Sequence, residues 1–494
     1  MKLSVRALLL CAFVTASVWG QTGTRLIDFN AKSIGRGGTS IGYFDGTELM
    51  MTNPAGISFL DHSMLDADFS LMMPSLHFKN NLNDADGESN VFPLPSAAYV
   101  QKYKNSNFSW GIGFFTAGGM GADFNLRHAL YREQDGSYTL QKYHSKLAVM
   151  QGGLTAAYKL TDNLSVGASL HLVYSMLEFG MPFSLNPAIM GGTAMPGMTF
   201  GQMFAAPASM GGFGYSEVTA AANMSDLNAV GFNGKIGLAY KVNDKLSMGL
   251  SYTMPSTMTY KNGKAAMDMT YQLNDAFGKA VQGAMAQGMT LAQAQAYVMG
   301  MFTQLGIDMT KGVQASYDLE AELKLPQSIG FGIAYKVSDI LNLSADAEYI
   351  MWENAFDKMA ITLTNGSNVN VNKMIGNSSF SLNFPMNWKN SLNLKFGLEL
   401  MASNALTLRA GYAYNENPVP SSTVFPVFPA IVENHIMFGA SYKVSAPLTI
   451  HAAFETALNN TQTADSRSIV ASEYNGSTSQ LSTVLLHVAV SYCF

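Results

Sequence analysis

Hydrophobic and polar residues alternate along much of the chain. In the segment LSVGASLHLVY, from Leu164 to Tyr174, apolar side chains occupy every second position and mostly small or polar ones lie between them. The same alternation recurs in residues 390–400, 405–414 and 447–455. A period of two residues is typical of β-strands that have one apolar face. The pattern therefore predicts a protein built mainly from such strands.

The connections between the predicted strands fall into two classes. One is a short turn that recurs almost unchanged, as YKLTDNL from Tyr158, YKVNDKL from Tyr240, YKVSDIL from Tyr335 and YKVSAPL from Tyr442. Longer connections alternate with these turns, and many strands reach about ten residues, the length that crosses a bilayer at a tilt. Each turn begins with a tyrosine, a residue typical of the aromatic girdle at a membrane surface. This asymmetry favours a membrane barrel over a soluble sandwich.

The last strand supports the same fold. Its apolar face consists of Leu486, Val488, Val490, Tyr492 and Phe494. A final strand that ends in phenylalanine resembles the signal that the barrel-assembly machinery of bacterial outer membranes recognises. We therefore predict an all-β membrane protein with a closed, antiparallel, 14-stranded transmembrane β-barrel. The predicted strands start near residues 64, 92, 107, 141, 163, 230, 245, 317, 341, 380, 404, 433, 447 and 481.

The first twenty residues have the pattern of a secretory signal. Lys2 and Arg6 precede a short apolar core, and small or turn-compatible residues lead up to Gln21. This order predicts a signal peptide over residues 1–20, with a buried N-terminal helix as the alternative. Cleavage would remove two positive charges and make the formal net charge of −5 more negative. A nucleic-acid partner is therefore not expected.

Composition narrows the class further. Charged residues make up 13% of the chain and hydrophobic residues 48%. After the N-terminus no apolar run reaches about 18 residues, so membrane-spanning helices are not predicted. The two cysteines are Cys11 and Cys493, so the mature chain forms no internal disulfide. An exported protein of this kind must be held by packing or by a closed hydrogen-bond network.

Two long inserts, residues 181–228 and 262–315, lack the alternating pattern. The second predicts two helices broken near Gly288, and Thr290 with Gln293 forms a capping box. Both inserts are rich in methionine but contain no histidine or cysteine, so no metal site is predicted. Their apolar residues either form a groove for a hydrophobic ligand or simply pack the loops together. The candidate groove residues are Met181, Phe183, Met195, Met198, Phe200, Met203, Phe204, Phe277, Met285, Met299 and Phe302.

No catalytic motif is present, and neither an enzyme nor a cofactor is predicted. The G-x-S-x-G, H-E-x-x-H and P-loop patterns are all missing. Polar residues at inward positions of the strands predict a charged lumen that lines a channel or holds a plug. They are His171, Lys235, Asp346, Glu348, Lys395, Glu399, Arg409, His451, Glu455 and His487.

Three segments carry a family resemblance. They are SIGRGGTS followed by NPAG, the stretch LPQSIGFGIAYKVSDILNLSADAEYIMW, and LTLRAGYAYNENPVP. With these segments the chain resembles the FadL-type outer-membrane transporters of long-chain fatty acids and aromatic hydrocarbons. The resemblance implies an N-terminal hatch over residues 21–62 that plugs a barrel over residues 63–494, and outer inserts that collect ligand. The hatch signature residues are Gly35, Arg36, Gly37, Asn53, Pro54 and Ala55.

The resemblance also implies an exit through the side of the barrel, where the third strand kinks. That strand reads FSWGIGFFTAGGMGADF, and Gly118, Gly119 and Gly121 interrupt its alternation. Glycine inside a strand often marks a bend or a bulge. The glycines therefore predict a lateral gate, with a flexible strand end as the alternative.

One feature departs from the family's fatty-acid carriers. Those carriers have a basic residue at the end of the fifth strand, whereas this chain reads LEFGM over residues 177–181. The departure favours an uncharged ligand. If a carboxylate binds, Lys389 or Lys395 could replace the missing base.

The predicted function is passive transport of hydrophobic small molecules across the outer membrane of a bacterium. Ligand would be captured by the outer inserts, passed to an inner pocket and released sideways into outer-membrane lipid by a monomeric barrel. A general polar porin is one alternative. A surface adhesin or structural barrel with methionine-rich binding loops is another.

Overall fold

Fourteen antiparallel strands pair around a complete circle in the part of the chain that the computed structural model describes, residues 23–133 and 135–494. The predicted signal peptide lies outside these residues. The first strand pairs with the last, from Met64 opposite Cys493 to Lys79 opposite Thr478, and so closes the barrel. The predicted fold class is thereby confirmed. The strands are β1 Met64–Lys79, β2 Phe92–Lys102, β3 Phe108–Leu126, β4 Gln141–Lys159, β5 Leu164–Leu185, β6 Val218–Lys241, β7 Leu246–Thr253 with Ser256–Asp268, β8 Gln314–Leu325 with Ser328–Ser338, β9 Leu341–Ile350 with Lys358–Thr364, β10 Phe380–Pro385 with Ser391–Met401, β11 Leu406–Asn415, β12 Asn434–Lys443, β13 Leu448–Thr463 and β14 Thr478–Cys493.

Thirteen strands start within three residues of their predicted positions, and β6 is the exception. It begins at Val218, twelve residues before the predicted start at residue 230. Its outer part is rich in alanine and polar residues, and it contains a bulge where Asp226 has a φ of 59°. Neither feature produces alternation. The inserts are therefore shorter than predicted, because strand structure continues to residue 185 and resumes at residue 218, and also continues to residue 268 and resumes at residue 314.

The apolar faces of the strands point outward, as the alternation predicts. A continuous band of exposed aliphatic and aromatic side chains surrounds the barrel, which is the surface that lipid requires. Members of this band include Leu170, Leu172, Val230, Phe232, Phe396, Phe438 and Val488. No helix among the described residues is both long and apolar enough to cross a membrane.

Helices occur in the hatch and in the outer loops. The hatch contains α1 Ala31–Gly35, α2 Leu49–Thr52 and the 3₁₀ turn Pro54–Phe59. The loops contain α3 Phe200–Ala205, α4 Thr270–Ala286, α5 Leu291–Gln304 and α6 Val369–Ile375. The predicted helical pair is confirmed as α4 and α5, which are separated by Gly288 with a φ of 94°. The capping box of Thr290 and Gln293 is also confirmed.

Short elements complete the loops. They are the strand Asp84–Asp86, the hairpin of Thr193–Met195 with Met198–Thr199, and the 3₁₀ turns Pro187–Ile189, Ala208–Met210, Met309–Lys311, Trp352–Asn354 and Ser472–Tyr474.

Two segments fill the barrel interior. Residues 24–60 are almost entirely buried against the inner wall. The connection between β11 and β12 also folds inward and buries Val424, Phe425, Val427 and Ile431. Sequence reasoning did not predict this second segment inside the lumen, although its run of apolar residues and prolines, PVPSSTVFPVFPAIV, has neither a strand nor a helix pattern.

Candidate functional site

The hatch approaches the barrel wall closely because glycine lies on both sides of the contact. Gly37 has a φ of 74°, and an added Cβ would lie 2.4 Å from the carbonyl oxygen of Phe396. On the wall, a Cβ at Gly411 would lie 2.0 Å from the Gly37 nitrogen. Only glycine fits such a conformation and such a distance. Contact with the inner wall thus explains the glycines of the SIGRGGTS segment.

A buried arginine fixes the hatch electrostatically. The Arg36 guanidinium lies 3.1 Å from both carboxylate oxygens of Asp45 and 3.2 Å from Glu399 of β10. It also stacks 3.7 Å from the ring centre of Tyr43. Burial raises the pKa of Asp45, but the charges of Arg36, Lys32 and Arg409 together outweigh burial and hold this pKa well below its ordinary value. Arg409 adds a 2.7 Å contact to Glu399.

Asn53 joins the hatch to the wall by its amide group. Its Nδ2 atom donates to the carbonyl oxygens of Ile41, at 2.8 Å, and of Leu238 on β6, at 3.0 Å. Its Oδ1 atom accepts from the Ala55 N–H at 3.3 Å. Pro54 begins the 3₁₀ turn that follows. The three NPA residues therefore lie against β6 and shape the hatch there.

Charged side chains on the barrel wall form hydrogen bonds with the hatch backbone. The polar residues at inward strand positions predict such contacts with a plug. Asp346 accepts the N–H groups of Ser40 and Ile41 at 2.8 and 2.9 Å. Lys395 donates to the Ile27 carbonyl at 2.7 Å, so it is already committed to the hatch. Lys389, the other substitute considered for the missing base, is exposed.

The hydrogen-bond ladder between β2 and β3 stops halfway along the strands. It ends where Ser96 pairs with Phe115. β3 continues to Leu126 and stays paired with β4, whereas residues 92–95 of β2 pair only with β1 among the described residues. We call the gap between residues 92–95 and residues 116–122 the seam. Its outer end is bounded by the hydrogen bond from the Glu88 N–H to the Asp123 carbonyl.

Two prolines account for the seam. Thr116 Oγ1 donates to the Pro95 carbonyl at 2.9 Å, so the backbone polar atoms of Pro95 face β3. Pro93 lies two residues away and faces the same side. Neither proline has an N–H to donate, so the ladder cannot continue. Sequence reasoning missed these residues, although the signal was present as two prolines in a short predicted strand.

The hatch covers the seam from inside. A register shift at Ala117 bends β3, and the Gly119 N–H then donates to the Thr24 carbonyl at 3.0 Å instead of to β2. A Cβ at Gly118 would lie 2.1 Å from the same carbonyl oxygen. At Gly121 it would lie 2.7 Å from the ring of Phe92, which covers the seam on the β2 side. The three predicted gate glycines therefore border the seam, and their role in gating stays a prediction.

Buried apolar side chains form one continuous cluster from the outer loops to the seam. It includes Phe302 in the loops, Phe179 and Phe425 in the lumen, and Met51 and Ala117 beside the seam. In the lumen, aromatic rings meet at centroid distances of 5.2 to 6.3 Å around Phe179, Phe183, Phe384, Phe425 and Phe428.

The candidate groove residues separate into three groups. Met181 and Phe183 belong to the lumen cluster, and Phe200, Met203, Phe204 and Phe302 are buried within the loops. Met198 and Phe277 are partly buried. Met195, Met285 and Met299 are 43–44% exposed. The ring contact of Phe302 with Phe213 joins the two inserts, and its contact with Phe277 joins the two helices of the second insert. Much of this apolar surface therefore packs the loops together.

The wide opening between the outer loops is bordered mostly by residues with polar side chains. A cavity of about 1640 Å³ is bordered by charged, amide and tyrosine side chains, and Phe277 is the candidate groove residue that reaches it. Its polar border includes Arg127, Arg132, Glu217, Tyr271, Asp275 and Lys279.

One buried cluster has the residue types of a hydrolytic triad. Ser70 Oγ lies 2.6 Å from His487 Nδ1, and His487 Nε2 lies 3.3 Å from Glu455 Oε2. However, Nε2 lacks hydrogen-bond geometry to any partner among the described residues. The adjoining cavity holds about 10 Å³, the space of one water molecule. The cluster therefore fits a polar lumen lining better than an ester-binding site.

A family model described as outer membrane protein transport protein (OMPP1/FadL/TodX) matches residues 12–494. This chain belongs to that family. It is therefore an outer-membrane transport protein of a bacterium, and the resemblance seen in its sequence is confirmed. No curated protein matches its sequence significantly.

Solved structures share the fold of this family member at low sequence identity. The toluene transporter TodX of Pseudomonas putida is 18% identical, with 96% of this chain and 100% of the other covered at a TM-score of 0.67. The toluene transporter TbuX of Ralstonia pickettii is 19% identical, with coverages of 95% and 99% and a TM-score of 0.63. A FadL homologue of Pseudomonas aeruginosa is 16% identical, with coverages of 97% and 100% and a TM-score of 0.66.

Proposed function

We propose that this family member moves hydrophobic small molecules passively from the outer loops, through the lumen, to the seam, where they leave sideways into outer-membrane lipid. The proposal agrees with the names of the similar structures. Two of them are toluene transporters and the third is a FadL homologue. The observation that carries it is the seam, because the wall that faces lipid lacks strand-to-strand hydrogen bonds there and the hatch, not a neighbouring strand, covers it.

The apolar cluster supplies the route. Ligand would enter between the outer loops and replace side-chain contacts with the aromatic rings of the lumen. The mobile neighbours there would be the segment between β11 and β12, which lacks regular structure, and the methionines, whose flexible side chains adapt to different ligands. From this inner pocket the same cluster leads to Ala117 at the seam.

Release into lipid is favoured over release into water for an apolar ligand. Each methylene group kept out of water contributes about 0.8 kcal/mol. A twelve-carbon chain would lose roughly 9 kcal/mol in a water-filled exit, which an opening into lipid avoids.

The alternative of a polar porin is disfavoured because the lumen is filled by the hatch and by the segment between β11 and β12.

A monomeric barrel is proposed since the fourteen strands close without a partner. For assembly, Phe494 is exposed and meets Tyr99 edge to face at 5.9 Å, where the barrel-assembly machinery could contact it.

The seam can be tested by restoring its missing donors. The double variant Pro93→Val with Pro95→Val gives β2 two N–H groups that face β3, so the ladder can extend and narrow the opening. Reconstituted in liposomes, the wild type is expected to transfer toluene and dodecanol much faster than glucose. The double variant should lose most of this transfer and unfold at a higher temperature.

Pro74→Val provides the matched control, because Pro74 lies in β1 and does not border β3. It should leave transfer unchanged. Glucose transfer that exceeds toluene transfer in the wild type would contradict the proposed function. Full toluene transfer in a folded double variant would contradict the lateral exit alone.

A further inference from the structure

The repeated short turns place a lysine directly after each lipid-facing tyrosine, at the end of the barrel opposite the outer loops, which faces the periplasm. Two of these lysines, Lys159 and Lys241, are the last residues of β4 and β6. Lys102 ends β2 in the same way and is followed by another exposed tyrosine, Tyr103. The strands β2 to β6 pair in sequence, so the three lysines lie along one arc of the periplasmic rim.

All three side chains reach the last turn of the hatch. Lys102 Nζ donates to the Ser58 carbonyl oxygen at 2.7 Å. Lys159 Nζ lies 5.1 Å from the ring centre of Phe59, and Lys241 Nζ lies 5.0 Å from the same ring centre. The second and third ammonium groups are therefore no more than about 10 Å apart, and the first is held at the adjacent hatch residue.

The ring of Phe59 is a fixed support for these charges. Phe59 is 4% exposed, and its ring stacks on that of Phe44 at 5.5 Å. A cation within about 6 Å of the centre of an aromatic ring is attracted by the ring. The ring and the neighbouring carbonyl group thus gather three positive charges that come from three separate turns.

No counter-charge is paired with this lysine cluster. Within the described part of the chain, none of its three lysines forms an ion pair with a carboxylate. Asp61 is near enough to act on Lys102 and Lys241, but Asp61 is exposed. Lys159 and Lys241 also act on the charge of Lys102, which they repel. An anion that binds among the three ammonium groups would remove this repulsion.

A pocket beside the cluster gives an anion access. Its volume is about 450 Å³, and it lies between the hatch residues Phe44 and Asp61 and the turns that follow β6 and β8. Lys241 lines this pocket. An anion can therefore approach the cluster from the periplasmic end without passing the hatch.

We propose that Lys102, Lys159 and Lys241 bind a phosphate group at the periplasmic mouth of the barrel. A phosphate monoester carries about −1.5 to −2 charges at pH 7 and three strong acceptor oxygens, so it matches three convergent cations better than a single carboxylate does. The bound group joins the ends of β2, β4 and β6 to the last turn of the hatch. This site is independent of the proposed transport function.

The experiment uses the full-length protein in phosphatidylcholine nanodiscs and follows hydrogen exchange of residues 55–62. Inorganic phosphate is titrated in at constant ionic strength. Phosphate at about ten times its dissociation constant should slow exchange of this segment about tenfold, because it binds the docked hatch only. Acetate and chloride should slow it less than about twofold, since a single charge matches the cluster less well.

Variants assign the effect to the cluster. Lys159→Met and Lys241→Met should each weaken phosphate binding by about tenfold, the effect of losing one charge-assisted hydrogen bond. Asp61→Asn should strengthen it about twofold, as expected for removal of a nearby exposed charge. Lys443→Met is the matched control, because Lys443 is exposed in the same kind of turn after β12, and it should leave phosphate binding unchanged.

A second arm identifies the source of the phosphate group. Here phosphatidate replaces part of the phosphatidylcholine, and no free phosphate is added. Slow exchange that Lys159→Met abolishes would assign the site to a lipid head group, whereas slow exchange that needs added phosphate would assign it to a free anion. Either result supports the site.

Three results would overturn it. They are no slowing in either arm, equal slowing by acetate and phosphate, and equal phosphate affinity in Lys159→Met and Lys443→Met. None of these measurements involves transfer of a hydrophobic ligand, so each outcome leaves the proposed transport function to be judged by its own test.

Discussion

The Nη1 atom of Arg36 lies 3.2 Å from the Oε2 atom of Glu399, and this contact joins the hatch to a wall residue 363 positions further along the chain. The arginine is fully buried and Asp45 holds its other side. Hatch position therefore depends on a charge cluster whose central arginine has no access to solvent. Such a cluster fixes one arrangement because removing Arg36 takes a buried cation away from both Asp45 and Glu399.

Arg36→Met should release the hatch. The substitution leaves Asp45 without its bidentate partner, which destabilises the docked hatch by about 3–5 kcal/mol. Planar-bilayer recordings should show larger and noisier single-channel conductance than for the wild type. Lys264→Met breaks an ion pair with Asp318 whose side chains are 65% and 49% exposed, and it should leave conductance unchanged. Equal conductance in both variants would mean that the hatch is held by other contacts.

Gly118→Ala should detach the hatch from the seam without disturbing the barrel. The new Cβ would lie 2.1 Å from the Thr24 carbonyl oxygen, so the hatch segment around Thr24 must move away. The hydrogen bond from the Gly119 N–H to that oxygen would then be lost. Hydrogen exchange of residues 115–122 should become at least about tenfold faster, as expected for the loss of one protecting hydrogen bond.

A neighbouring glycine provides the control for that measurement. At Gly152 of β4 an added Cβ would have its nearest neighbour at 3.5 Å, an ordinary contact. Gly152→Ala should therefore leave exchange of residues 115–122 unchanged. Unchanged exchange in Gly118→Ala as well would show that Thr24 does not protect the seam.

The fold was largely predictable from the local sequence pattern. One face of each strand contacts lipid and the other faces the lumen, so the alternation of apolar and polar residues is set strand by strand. The seam was partly predictable: Gly118 and Gly119 marked it, but the significance of Pro93 and Pro95 depends on which way their carbonyls face. The partners of Lys235 and Lys395 were not predictable. Both lysines point inward, and the path of the hatch decides that Lys395 meets a carbonyl oxygen while Lys235 meets none among the described residues.

The inserts illustrate the same limit. Their helices could be predicted from the period of their apolar residues. Whether Phe302 lines a ligand groove or packs the loops together depends on its contact with Phe213 in the other insert. We predict that Phe302→Ala destabilises the loops by about 3–5 kcal/mol, the usual effect of truncating a buried phenylalanine. Met299→Ala, at a position 44% exposed on the same helix, should have almost no effect on stability. Protease sensitivity of the loops measures this difference.

Ligand affinity then decides between the two interpretations of the inserts. If the loops only pack against each other, Met299→Ala should leave toluene transfer unchanged. If they form a groove, Met299→Ala should reduce the transfer even though the loops remain intact. A loss in both variants with intact loops would support the groove.

Two buried groups in the outer loops, His128 and Glu473, have opposite responses to pH. Burial raises the pKa of Glu473 to about 7, and burial lowers the pKa of His128 to about 4. Near pH 6 both groups are therefore neutral, so their 3.8 Å contact is not an ion pair. The folded state holds the Glu473 proton more tightly than the unfolded state, so Glu473 reduces stability as pH rises from about 4.5 to about 7. His128 reduces stability as pH falls from about 6.5 to about 4.

Because these two effects oppose each other, single variants should expose them. Each is worth about 3 kcal/mol when complete, since each shift spans roughly 2.5 pH units at 1.36 kcal/mol per unit. Glu473→Gln removes the loss of stability that occurs as pH rises from 4.5 to 7. The unfolding temperature of this variant relative to wild type should therefore rise over that range. His128→Asn removes the loss of stability that occurs as pH falls from 6.5 to 4. The unfolding temperature of this variant relative to wild type should therefore rise as pH decreases over that range. Thermal unfolding in detergent over this pH range measures both slopes. Two flat difference curves, or two slopes of the same sign, would show that burial in the loops does not control these protons.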